Sequence, residues 1–153
     1  MRFQFRNTWP AIVLLAGLIL AVPAAFANAI RFDFGPVGTP TMTALFEDVA
    51  PGQLQLTVTA LALSGDNSVN SLFFNFNPAF DSRDLTFTQT SSTEGVQGVA
   101  NTGNDSYKAA GGTGKFDIDL VFGPSPTFMN GDVVTFSVTG ISGLSVDDFL
   151  FQE

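Results

Sequence analysis

The chain has 153 residues, with six basic and fourteen acidic side chains, and neither His nor Cys. Without His or Cys, no Ser-His-Asp triad, Cys nucleophile or His/Cys zinc site can be assembled, and no disulfide can staple the fold. Seventeen Phe against one Trp and one Tyr put the burden of holding the domain together on aromatic packing.

Residues 1–27 read as a targeting segment. Arg2 and Arg6 form a basic start, residues 11–22 are an apolar run, and Ala25-Phe26-Ala27 follows Pro23 as an A-x-A cleavage pattern. The run is too short to cross a bilayer, which takes about 20 residues. The expected mature chain starts at Asn28, has no membrane span, and forms one domain over residues 28–153. Cleavage removes two of the six basic residues and no acid, leaving four bases against fourteen acids, a net charge of −10. Nucleic acid needs a basic footprint that is missing here, and anionic membrane surfaces are disfavoured for the same reason.

In the mature region, Ile30, Phe32 and Phe34 alternate with Arg31 and Asp33, the period-two pattern of a half-buried strand. Residues 41–49 suit a short helix by the spacing of Leu45, Phe46 and Val49, but the Thr-rich flanks and the Pro51-Gly52 turn favour a strand and hairpin. In residues 53–63, Leu54, Leu56 and Val58 alternate with polar residues, and Leu61 and Leu63 then fall on the other parity, which suggests a bulge or a segment covered on both faces. Turn residues 64–67 precede a Phe-rich strand over 71–76 and another over 84–90. Residues 91–114 are rich in Ser, Thr, Gly and Asn and are expected to be loops with short strands near 96–99 and 106–109. Asn104-Asp105-Ser106 matches a glycosylation sequon, a three-residue pattern that chance also supplies. Three strong segments close the chain: 116–122, 133–139 after Asn130-Gly131, and 144–151. The fold class that follows is all-β, a single antiparallel β-sandwich of jelly-roll-like form.

The chemistry left open is carboxylate chemistry and oxygen-ligated metal binding. Asp117 and Asp119 stand two apart, about 7 Å along a strand, near the carboxylate spacing of an inverting glycosidase. Their parity opposes the Phe116, Ile118, Leu120 and Phe122 stripe, so a solvated polar face is the expected reading and no catalytic residue is assigned. Asp147 shares the parity of Phe149 and Phe151. If those rings face inward, its carboxylate needs a turn to cap, Arg31 to pair with, or a metal. A structural calcium held by Asp147 with Asp33 is the metal candidate, calcium favouring such oxygen ligands. Tyr107 is the one mature Tyr or Trp and thus the candidate sugar contact.

Several motifs carry a family resemblance: Phe74-Asn75-Phe76-Asn77-Pro78, Tyr107-Lys108-Ala109 with Gly111-Gly112, Gly114-Lys115-Phe116-Asp117-Ile118, and Gly143-Leu144-Ser145-Val146-Asp147-Asp148-Phe149. Together they resemble exported bacterial proteins of the PEP-CTERM sorting type. The closing segment also resembles that of jelly-roll carbohydrate-binding modules, whose matching Asp holds a structural calcium. The first resemblance implies export in a Gram-negative-type bacterium that makes extracellular polysaccharide. That family ends in a Pro-Glu-Pro motif, an apolar helix and a basic tail, which the sequence to Glu153 does not display, so the expected location is secreted, periplasmic or cell-surface. The expected function is non-enzymatic, structural or adhesive, in the matrix or envelope, with extracellular polysaccharide or other surface proteins as partners. The alternative is a polysaccharide-binding module that uses calcium. Intact-mass measurement of the exported protein should place its N-terminus at Asn28; a mass retaining Arg2 or Arg6 refutes cleavage.

Overall fold

The computed structural model describes residues 28–63, 67–109 and 114–151. The expected targeting segment 1–27, the turn residues 64–66 and the Gly111-Gly112 motif lie outside the described residues.

Eight strands form: β1 (Ala29–Phe34), β2 (Met42–Ala50), β3 (Gln53–Ala60), β4 (Ser71–Phe74), β5 (Thr86–Ser92), β6 (Gly98–Tyr107), β7 (Phe116–Phe122) and β8 (Val133–Thr139). They build a five-stranded sheet, ordered β1-β2-β3-β8-β5, and a three-stranded sheet, ordered β4-β7-β6. Every pairing is antiparallel. The inner six strands are wound as in a jelly roll: β3 pairs with β8 and β4 with β7, while β5 and β6 close onto β8 and β7 from the other side. The hairpin β1-β2 extends the larger sheet beyond β3.

The period-two pattern decides what each sheet buries. Leu54, Leu56 and Val58 on β3, Val134, Phe136 and Val138 on β8, and Ile118, Leu120 and Phe122 on β7 all join one core. The side of the large sheet facing away from it carries Gln53, Gln55, Thr57 and Thr59 on β3 and Thr135, Ser137 and Thr139 on β8, with Gln53 donating to the Ser137 hydroxyl at 3.0 Å.

An aromatic seam joins the sheets. Phe46 of β2 meets Phe74 of the opposite sheet edge-on at 5.4 Å, Phe32 at 6.0 Å, and stacks on Phe149 at 4.1 Å. Such pairs add about 0.5–1.5 kcal/mol each beyond their burial. Elsewhere Phe136 reaches from β8 to the start of β6, where a Cβ on Gly98 would sit 2.6 Å from its ring. Gly98 is small because that ring crosses there.

Three sequence expectations are corrected. The parity change at Leu61 and Leu63 marks the end of β3 at Ala60, not a bulge, and Leu61 is exposed. Residues 98–107, expected as loop with short strands to either side, form one ten-residue strand; Gln89 fastens its start by accepting from Gly98 N at 2.7 Å and donating to the Val96 carbonyl. The closing segment is a 3-10 helix, Val146–Phe149, and not a strand.

Replacing the hub ring should be severe. Phe46→Ala is expected to cost about 3–5 kcal/mol, read as a lowered urea midpoint at unchanged slope; a loss below about 1 kcal/mol would show that the seam does not hold the sheets.

Candidate functional site

With four basic side chains in residues 28–153, ion pairing can satisfy few acids. Both arginines are engaged locally: Arg31 donates to Asp33 at 2.6 Å, and Arg83 to Asp81 at 2.8 Å. The Arg83 hydrogen bonds hold the Asp81 carboxyl below its ordinary value while Asp81 also caps the 3-10 helix Ser82–Asp84. The buried acids Asp117, Asp132 and Asp148 are instead held by N–H groups.

Asp117 is the clearest case, and it corrects the expectation of a solvated face. It is 9% exposed. Its Oδ2 accepts from Phe76 N at 2.8 Å and its Oδ1 from Asp105 N at 2.9 Å. The carboxylate thus fastens the chain leaving β4 and the irregular part of β6, where Asp105 adopts a left-handed φ of 50°. Asn104 completes the junction, its Oδ1 accepting from both the amide and the hydroxyl of Ser82; the sequon asparagine is structural.

Asp147 and Asp148 exchange the roles expected of them. On a 3-10 helix, parity does not transfer: Phe149 is buried, Phe151 is exposed, and Asp147 faces solvent. The inward acid is Asp148, which accepts from Asn77 Nδ2 at 2.8 Å and from Ser145 N at 3.0 Å. Asp48 of β2 secures the same segment by accepting from Val146 N. Arg31, offered as a partner for Asp147, pairs instead with Asp33. Among the described residues, no three acidic side chains gather in a way that could hold a metal ion.

Tyr107 ends β6 opposite Phe116. Its hydroxyl lies over Gly103, 3.5 Å from where a Cβ would stand, beside Ser106, so it packs against its own strand's irregular turn.

A cleft of about 720 Å³ opens at the loop end of the sandwich, between the β5–β6 turn and the β7–β8 connection. Its polar lining is largely committed to the turns that form it. Asp132 accepts from Met129 N at 2.7 Å, Asn130 from Leu63 N, and Thr93 from Val133 N.

The outer face of the three-stranded sheet differs. Leu72 and Phe74 of β4 enter the core, so Phe73 points outward; it stands opposite Asp119, and Asp119 opposite Asn101 of β6. Directly opposed residues share a face, so Phe73, Asp119 and Asn101 form one cross-strand row. Phe73 and Phe116 lie 5.4 Å apart, outside the core cluster. The next row carries Ser71, Val121 and Val99, the last 62% exposed. Oδ1 of Asp119 is shut off from solvent with no donor, the one buried side-chain oxygen so left among the described residues. An unpartnered buried acceptor costs about 1–3 kcal/mol, more when charged.

Comparison with protein-family models, with curated proteins and with solved structures gives no match for this chain.

The two aspartates of β7, equivalent in sequence, should respond oppositely to substitution. Asp117→Ala strands two backbone donors and is expected to cost about 2–4 kcal/mol. Asp119→Asn removes an uncompensated charge and should leave stability unchanged or raise it by up to about 1 kcal/mol. Equal losses in chemical denaturation would refute the distinction.

Proposed function

We propose that the protein is a non-enzymatic exported β-sandwich with a structural or adhesive role in the extracellular matrix or envelope. The single observation that supports this reading is the outer face of the three-stranded sheet. There, aromatic and aliphatic side chains stand outside the core around one carboxylate, whereas the outer side of β3 and β8 in the other sheet carries Gln, Thr and Ser. Apolar side chains displayed together on an outer sheet face mark contact surfaces rather than stability. Of the two carboxylates that the sequence offers as a pair, Asp117 is buried and takes a backbone amide on each oxygen, a structural use that supports the non-enzymatic reading.

Binding of polysaccharide is the second reading, favoured by Phe73, an aromatic ring turned to the outer face of the three-stranded sheet. Its calcium-dependent form retains Asp147 as the ligand, and it draws no support from Asp33, which is bonded to Arg31.

The exported protein is expected to sediment with insoluble extracellular polysaccharide matrix and to release no reducing sugar from it on prolonged incubation. Sugar release would overturn the non-enzymatic reading, and failure to sediment would overturn the adhesive one. Calcium should raise the melting temperature if Asp147 binds it; an unchanged value removes the metal.

A further inference from the structure

The connection between β7 and β8 carries a dipeptide whose chemistry is independent of the adhesive reading. Of the nine asparagines in the chain, Asn130 alone precedes a glycine. In an Asn-Gly pair the side-chain amide is open to attack by the next backbone nitrogen, because Gly puts no Cβ in the way and leaves the backbone free to turn.

In an unstructured chain the Gly131 nitrogen attacks Cγ of Asn130. A C–N bond forms, the bond from Cγ to the side-chain nitrogen breaks, and ammonia leaves with the proton that the backbone amide gives up. Water then opens the five-membered imide at either carbonyl. One product is Asp; the other is isoaspartate, in which the main chain runs through the former side chain. Water is the one co-reactant, and both residues are exposed to it. A Cβ on Gly131 would meet nothing within 4 Å. Burial therefore offers this pair no protection.

Hydrogen bonding supplies it. Gly131 takes a left-handed φ of 89° while Asn130 does not, and Asp132 N donates to the Met129 carbonyl at 3.0 Å. That is the type II form, with Gly in the third place of the turn. The attacking nitrogen is already a donor, to the Ala60 carbonyl at 2.9 Å. The target amide is held as well, Asn130 Oδ1 accepting from Leu63 N at 3.2 Å. Nucleophile and electrophile are thus each committed to the chain leaving β3, and neither is free to swing onto the other. Asp132 locks the turn from behind: its Oδ2 accepts from Met129 N at 2.7 Å, and its carbonyl from Ala60 N at 2.9 Å.

The same bonds give the reaction its consequence. Ala60 ends β3 and Val133 begins β8, so the turn clasps two adjoining strands of the larger sheet at one end. An isoaspartate at position 130 adds a main-chain atom to the turn, which displaces Gly131 N from the Ala60 carbonyl. It also sets a new carboxylate near Asp132, on a chain with a large excess of acids. We propose that Asn130-Gly131 is a guarded deamidation site, unreactive while the β7–β8 turn is closed and converted irreversibly when it opens. A turn once converted does not reclose on β3 as before.

The test is timed peptide mapping with isoaspartate detection, in mildly alkaline buffer, on the folded protein and on the protein in denaturing urea. In urea, Asn130 is expected to convert ahead of Asn67 and Asn70, which precede Ser. In the folded protein it should convert at least about tenfold more slowly, the reaction waiting on local opening. Asp132→Ala removes the acceptor for Met129 N and should speed conversion in buffer. Wild type in urea below its unfolding midpoint should do the same with no substitution. Converted protein, separated by charge, should unfold at lower urea than unconverted protein. Equal rates in folded and unfolded chains, or a folded rate that ignores both the variant and mild urea, overturn the guard. No preference for Asn130 in urea overturns the reactive pair, and an unchanged midpoint after conversion overturns the clasp. Sedimentation with matrix tests the adhesive reading separately from all of these.

Discussion

Everything in this domain depends on how its two sheets are pinned together without a disulfide, and Phe46 is the pin. Its ring touches Phe32 within its own sheet, Phe74 of the facing sheet and Phe149 of the closing 3-10 helix. Three parts of the chain far apart in sequence therefore share one contact point. The seam also explains the external aromatics. Phe74 enters the core to meet Phe46, and its neighbour Phe73 is thereby turned to the outside, because successive strand residues face opposite ways.

The second constraint is the scarcity of cations. A domain with four bases and fourteen acids cannot neutralise its buried carboxylates by ion pairs, and it uses them as acceptors for backbone amides. Asp117 ties two irregular segments to the end of β7, Asp148 ties the closing helix to Asn77, and Asp48 ties that helix to β2. Each such bond is charge-assisted and stronger than its neutral counterpart. Against this background Asp119 is the exception, a carboxylate on the same strand with one oxygen left unmet.

The strands were legible wherever burial imposes a period of two. The alternation in β1, β3, β7 and β8 follows directly from one face meeting the core, and the sandwich follows from several such strands with no helical pattern between them. β6 was hidden because Gly, Asn, Thr and Ser carry no apolar alternation; its place is fixed by pairing with β7 and by the Gln89 side chain. The closing helix was misread because Val-Asp-Asp-Phe-Leu-Phe also fits a strand, and the Asp148 bonds that select the turn come from Ser145 and from distant Asn77. Parity does place Asp117 and Asp119 on one side of β7, yet it says nothing of amides arriving from residues 76 and 105. Phe73 did carry a readable signal: it is out of phase with Leu72, Phe74 and Phe76, all of which are buried.

The strand order has a consequence for how the molecule comes into being. The centre of the larger sheet is bordered by β8, which lies between β3 and β5 although it is the last of the described strands in sequence. Until residue 139 is available, β5 has no partner in its sheet and β3 has only β2. The pairings that complete the sheet join residues such as Leu54 and Val138, and contacts so distant in sequence form late and slowly. A nascent chain therefore cannot lock into this fold from its N-terminal end. The larger sheet closes only when residues 133–139 arrive to bridge β3 and β5, so its two halves become one sheet in a single late step rather than strand by strand.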